Sequence, residues 1–123
     1  MDMGPRPIQP TYHSDVTGIP SYTGFVYEVR VLPVDWDSGV RHDLERVVRL
    51  FHYPLEAERY ARSLGQHGSA ICYLLDLAGM QELRISVRAT RYLNGKDDEE
   101  YLKVWNPMPA TLVATVRNEG HAI

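Results

Sequence analysis

Apolar residues in this chain recur in short alternating runs separated by proline, glycine and acidic turns, a spacing that predicts several strands and one helix. Across residues 25–32, Phe25, Tyr27, Val29 and Val31 alternate with Val26, Glu28, Arg30 and Leu32 at the two-residue period of a pleated strand. Pro33 is expected to end or edge that strand, and Asp35-Trp36-Asp37-Ser38-Gly39 reads as a turn. Residues 44–53 fit two patterns. Leu44, Val47, Val48 and Phe51 lie at helical spacing, yet the segment from Val47 to Tyr53 is rich in β-branched and aromatic residues, which favours a strand.

A helix is expected from Pro54 to about Leu64, because proline suits the first helical position and Glu56 and Glu58 complement the positive end of the dipole. Ala57, Tyr60, Ala61 and Leu64 form its apolar stripe, Glu58 and Arg62 are spaced for an ion pair, and Gly65 supplies a left-handed stop. Residues 71–77 then read as a central strand and residues 83–93 as a long alternating one. Residues 100–105 read as its hairpin partner across an Asn94-Gly95 turn, and residues 111–117 as a last strand. The order β-β-α-β-β-β-β predicts an α+β fold with an antiparallel-rich sheet of about five or six strands and one helix packed on one face.

Residues 1–21 are set apart by Pro5, Pro7, Pro10 and Pro20, which favour irregular or extended backbone. The chain therefore divides into a proline-rich arm at 1–21, a single domain at 22–117 and a tail at 118–123. Ile8, Tyr12, Val16, Ile19 and Tyr22 make the arm too apolar for a simple solvated tail, so it is expected to lie on its own domain or on another subunit.

With 123 residues, 44% of them hydrophobic and 24% charged, the chain suits one core. Its net charge of -3 provides no global attraction to nucleic acid or to an anionic membrane. No signal-peptide pattern and no membrane-spanning apolar run is present, which points to a soluble cytoplasmic protein. Cys72, the single cysteine, lies in an apolar stretch where a small buried hydrophobe is expected, so neither a disulfide nor a CxxC zinc pattern can be written.

Candidate chemistry is sparse. His13, His42, His52, His67 and His121 are scattered without metal-ligand spacing. His42-Asp43 resembles a base with an orienting carboxylate, but no G-x-S-x-G elbow accompanies it. Neither a P-loop nor G-x-G-x-x-G occurs, so no cofactor is expected. Asp97-Asp98-Glu99-Glu100 lacks calcium-loop spacing and reads as a charged hairpin tip.

On the 83–93 strand, Arg84 and Arg88 share one face, with Arg91 and Tyr92 nearby, as a single-strand nucleic-acid binder would require. Glu28 and Glu82 are positioned to neutralise those arginines by cross-strand pairing. Tyr12, Trp36, Trp105 and Met108 are the residues least explained by a regular core face, and with Ile8 and Ile19 of the arm they are the candidate partner contacts.

A non-catalytic interaction or assembly module therefore ranks first, using the arm and an exposed sheet face or edge to hold a protein partner or a copy of itself. A nucleic-acid-binding or regulatory accessory protein carried by Arg84, Arg88, Arg91 and Tyr92 ranks second. A small enzyme using His42, Asp43 and His52 ranks third.

Overall fold

The alternation seen in the sequence builds two long strands that pair with each other at the centre of a sheet. In the computed structural model, which describes residues 9–12, 25–66, 74–76, 79–93, 103–105 and 108–118, these are β2 (Val26–Asp35) and β5 (Glu82–Leu93). The element order is β1 (Gln9–Tyr12), β2, β3 (Gly39–Val40), β4 (Arg46–Phe51), α1 (Pro54–Gln66), β5, β6 (Lys103–Trp105) and β7 (Thr111–Arg117). Strands β2 and β5 run antiparallel from Val26↔Thr90 to Val34↔Glu82 with no register shift. Every second residue of each therefore shares a face. Tyr27, Val29 and Val31 meet Ala89, Val87 and Ile85 in the core, while Glu28 and Arg30 stand with Arg88 and Ser86 on the opposite side.

Each central strand is flanked by a partner line broken in two. Beyond β5, β6 pairs with residues 91–93 and β7 with residues 82–87. Pro107 and Pro109 fall between the two and cannot donate ladder hydrogen bonds, while Met108 N–H still donates to Ala89 O at 3.0 Å. Beyond β2, β3 and β4 form the second broken line, separated by a 3-10 turn at His42–Leu44.

That break explains why β2 runs on through Pro33. The two backbone polar groups of a strand residue point the same way, and Pro33 O accepts from Arg41 N–H at 3.0 Å. Its nitrogen therefore faces the gap between β3 and β4, where no donor is required. Gly39 closes the β2–β3 turn with φ of +100°, a conformation side chains resist.

Helix α1 lies against β2, β5 and β7 with Ala57, Ala61 and Gly65 buried, and Tyr60 and Leu64 packed against the core. The α+β class, the antiparallel sheet and the single main helix on one face agree with the sequence reading. The core gathers Tyr27, Val29, Leu83, Ile85, Val87, Val113, Ala114 and Val116 from the sheet, together with Leu75 and Met80. Each large aliphatic group so buried contributes roughly 1.5–3 kcal/mol.

Three expectations change. Helix α1 continues through Gly65 to Gln66, so Gly65 is a small buried residue facing the sheet and not a stop. Residues 74–76 are helical where a central strand was expected, and residues 71–73 and 77 lie outside the described residues. Met80 N–H donates to Leu75 O at 3.0 Å and Gly79 N–H to Asp76 O at 3.2 Å, the paired bonds of a helix end closed by a left-handed glycine. Leu75 and Met80, which flank that closure, are both buried.

Finally, the arm is not wholly irregular. Residues 9–12 form β1, antiparallel to β7 from Gln9↔Arg117 to Tyr12↔Ala114, and Pro10 is tolerated because β1 is an edge. The Asn94-Gly95 turn lies outside the described residues.

Candidate functional site

On the sheet face away from α1, the arginines are held by carboxylates. Glu28 is 1% exposed and lies directly opposite Arg88. Its Oε1 accepts from Arg88 Nη2 and Arg30 Nη1, each at 2.8 Å, and Arg30 Nε reaches Glu45 at 3.3 Å. Glu82 accepts from Arg84 at 3.0 Å, from Arg117 at 3.2 Å and from the indole N–H of Trp36 at 3.3 Å. Burial pushes the Glu82 carboxyl up, but the hydrogen bonds from Arg84 and Trp36 and the charges of Arg84 and Arg117 outweigh it. The group ends below the usual glutamate range. Arg84 and Arg88 are thus engaged with carboxylates of their own sheet. Arg91 is exposed, and the Tyr92 side chain lies outside the described residues.

The edge formed by β4 has a different character. Among the described residues β2 is the only strand paired with β4, so the outer backbone groups of β4 have no ladder partner. The β2–β4 register shifts between Val29 and Arg30, leaving Val48 as an extra residue that packs against the core. This bulge resets the alternation: Val47 and Leu50 lie opposite Arg30 and Glu28 on the face away from the helix, whereas Arg46 and Arg49 lie opposite Val31 and Val29 on the helix side.

Of six exposed large hydrophobic residues among those described, four fall between residues 47 and 55: Val47, Leu50, Tyr53 and Leu55. Leu50 is 48% exposed and Tyr53 65%. Beside them the Arg49 guanidinium stands 5.2 Å from the ring centres of both Phe51 and Tyr60, a cation–π arrangement that holds it at the edge.

The remaining sequence candidates scatter. Ile8 and Ile19 lie outside the described residues, as do the side chains of Tyr12 and Trp105, whose backbones sit in β1 and β6. Trp36 is half exposed but tied to the end of β5 by its backbone N–H to Gln81 and its indole N–H to Glu82. Met108 is partly buried and packs against the core.

Asp43 is engaged by Arg41 through two hydrogen bonds of 2.9 and 2.7 Å, and that pairing draws its carboxyl below the usual range. His42 and His52 are exposed. Among the described residues no group of three or more histidine, cysteine, aspartate or glutamate side chains is placed to hold a metal ion. No helix among them is long and apolar enough to cross a membrane.

Val47, Leu50, Tyr53 and Leu55 were missed as surface residues because the bulge that turns Val47 and Leu50 outward has no sequence signature. The one available signal was Leu55 directly after the helix-starting Pro54, off the stripe of Ala57, Ala61 and Leu64. Comparison with family models, with curated proteins and with solved structures finds no match.

Proposed function

We propose that this chain is a non-catalytic protein-interaction module that holds a partner protein, or a second copy of itself, along the open β4 edge and the first turn of α1. The observation that carries this reading is the concentration of exposed apolar side chains at Val47, Leu50, Tyr53 and Leu55 beside a strand edge with no ladder partner among the described residues. An exposed apolar edge is costly to leave bare, since it invites indiscriminate strand pairing, and strand addition is a common mode of peptide recognition. Residues 9–12 of the arm pair with β7 as β1, at the opposite side of the sheet from β4.

The arginine strand supports a nucleic-acid reading less well, because Arg84 and Arg88 are already bound by Glu82 and Glu28. An enzyme reading loses its orienting carboxylate, because Asp43 serves Arg41.

The test places a photo-crosslinking residue at Leu50, at Tyr53 or, as a control on the far side of the sheet, at Thr111, and irradiates cells producing each variant. Cross-linking from positions 50 and 53 to one defined protein, or to a second copy, with none from 111, is the expected result. Equal labelling from all three positions, or none from 50 and 53, rejects the assignment.

A further inference from the structure

We infer that the strand accepted by the β4 edge is an extended segment in which aspartate or glutamate alternates with aliphatic residues. This rests on the reading of β4 as the contact edge. Six arginines, Arg30, Arg41, Arg62, Arg84, Arg88 and Arg117, have a carboxylate within ion-pair distance. Arg46, Arg49 and Arg59 have none among the described residues, and the first two belong to β4, whose outer edge has no ladder partner among them.

The bulge sorts this edge into two chemistries. Toward the helix it shows Arg46 and Arg49, and on the other face it shows Val47 and Leu50. A strand laid against it presents side chains alternately to these two faces. Carboxylates on one face would then meet the arginines while aliphatic groups on the other cover Val47 and Leu50.

A second copy is the poorer occupant, because its own Arg46 and Arg49 would place like charges along the shared ladder. A nucleic-acid strand would leave Val47 and Leu50 uncovered and supply no backbone donors and acceptors of strand geometry.

The test is amide NMR of the isotope-labelled full chain. It is titrated in turn with a capped peptide of alternating glutamate and valine, with its lysine–valine counterpart and with oligothymidylate, and is also followed on dilution alone. The expected result is that the glutamate peptide perturbs the amides of residues 46–51 and binds at least about tenfold more tightly than the lysine peptide. That preference inverts in the double variant Arg46→Glu, Arg49→Glu, whose unchanged core amides verify its fold.

Equal affinity for both peptides at β4 overturns the charge inference and leaves the edge reading standing. Perturbation of β4 by dilution, with neither peptide competing, makes a second copy the occupant and likewise overturns the inference alone. Oligothymidylate that displaces the glutamate peptide from residues 46–51 assigns the edge to nucleic acid and overturns both readings. No response of residues 46–51 to any probe or to dilution also overturns both.

Discussion

Glu82 accepts hydrogen bonds from Arg84, Arg117 and Trp36 while itself almost fully buried, so its charge is compensated by groups from three parts of the chain. Because its folded carboxyl lies below the ordinary range, its stabilising contribution is present above the unfolded pKa and is lost as pH falls through the folded one. Glu82→Gln is therefore expected to lower the urea midpoint near neutral pH. The difference from the parent protein should narrow on the acid side, and a difference constant with pH would contradict this linkage. Glu28→Gln is expected to weaken the anchoring of Arg30 and Arg88 at a cost of about 1–3 kcal/mol, measurable by the same denaturation. Thr90 gives the opposite case. Its hydroxyl is buried with no hydrogen-bond partner among the described residues, so Thr90→Val is expected to be neutral or stabilising by up to about 1 kcal/mol.

Among the elements, the helix end at residues 74–76 depends on one backbone geometry. Gly79 adopts φ of +69° with open space where a Cβ would stand, so Gly79→Ala strains the backbone without a clash. A loss of about 1 kcal/mol in denaturant unfolding is expected, and no loss would mean that the closure on Leu75 and Asp76 contributes little. The signal for this element was present in the sequence, in Gly79 preceded by apolar Leu75 and followed by Met80. The richer apolar run through Ile71 and Leu77 outweighed it, since short buried strands and short buried helices share that composition. By contrast, α1 was legible because Pro54, the stripe at Ala57 and Ala61, and the Glu58–Arg62 pair all point to the same element.

For the whole molecule, the sheet is protected unevenly. Among the described residues, strands β2 and β5 are hydrogen-bonded along both edges, whereas β4 is bonded along one. Hydrogen exchange should therefore be slowest in β2 and β5, with the outward amides of β4 among the fast ones, and uniform protection across β4 in the isolated protein would place a partner element on that edge. Leu50→Lys is expected to leave unfolding stability within about 0.5 kcal/mol while abolishing cross-linking from Tyr53, because Leu50 is half exposed and contributes more to contact than to the core.

By itself the sequence determined the periodicities: the alternation of Tyr27, Val29 and Val31, that of Leu83, Ile85 and Val87, and the helical stripe behind Pro54. These decide which face of each element is apolar, and hence an α+β fold with one covered sheet face. Glu28 was also legible as a partner for the arginine strand, because it lies directly opposite Arg88, whereas Glu82 reaches Arg84 two residues along its own strand and Arg117 across the ladder. Only the tertiary structure decided that Pro33 sits inside β2, that residues 9–12 close the β7 edge, and that a bulge at Val48 turns Val47 and Leu50 outward. Each of these depends on which strand lies alongside. The identity of a neighbour, unlike the period of a strand, is set by contacts between residues far apart in the chain.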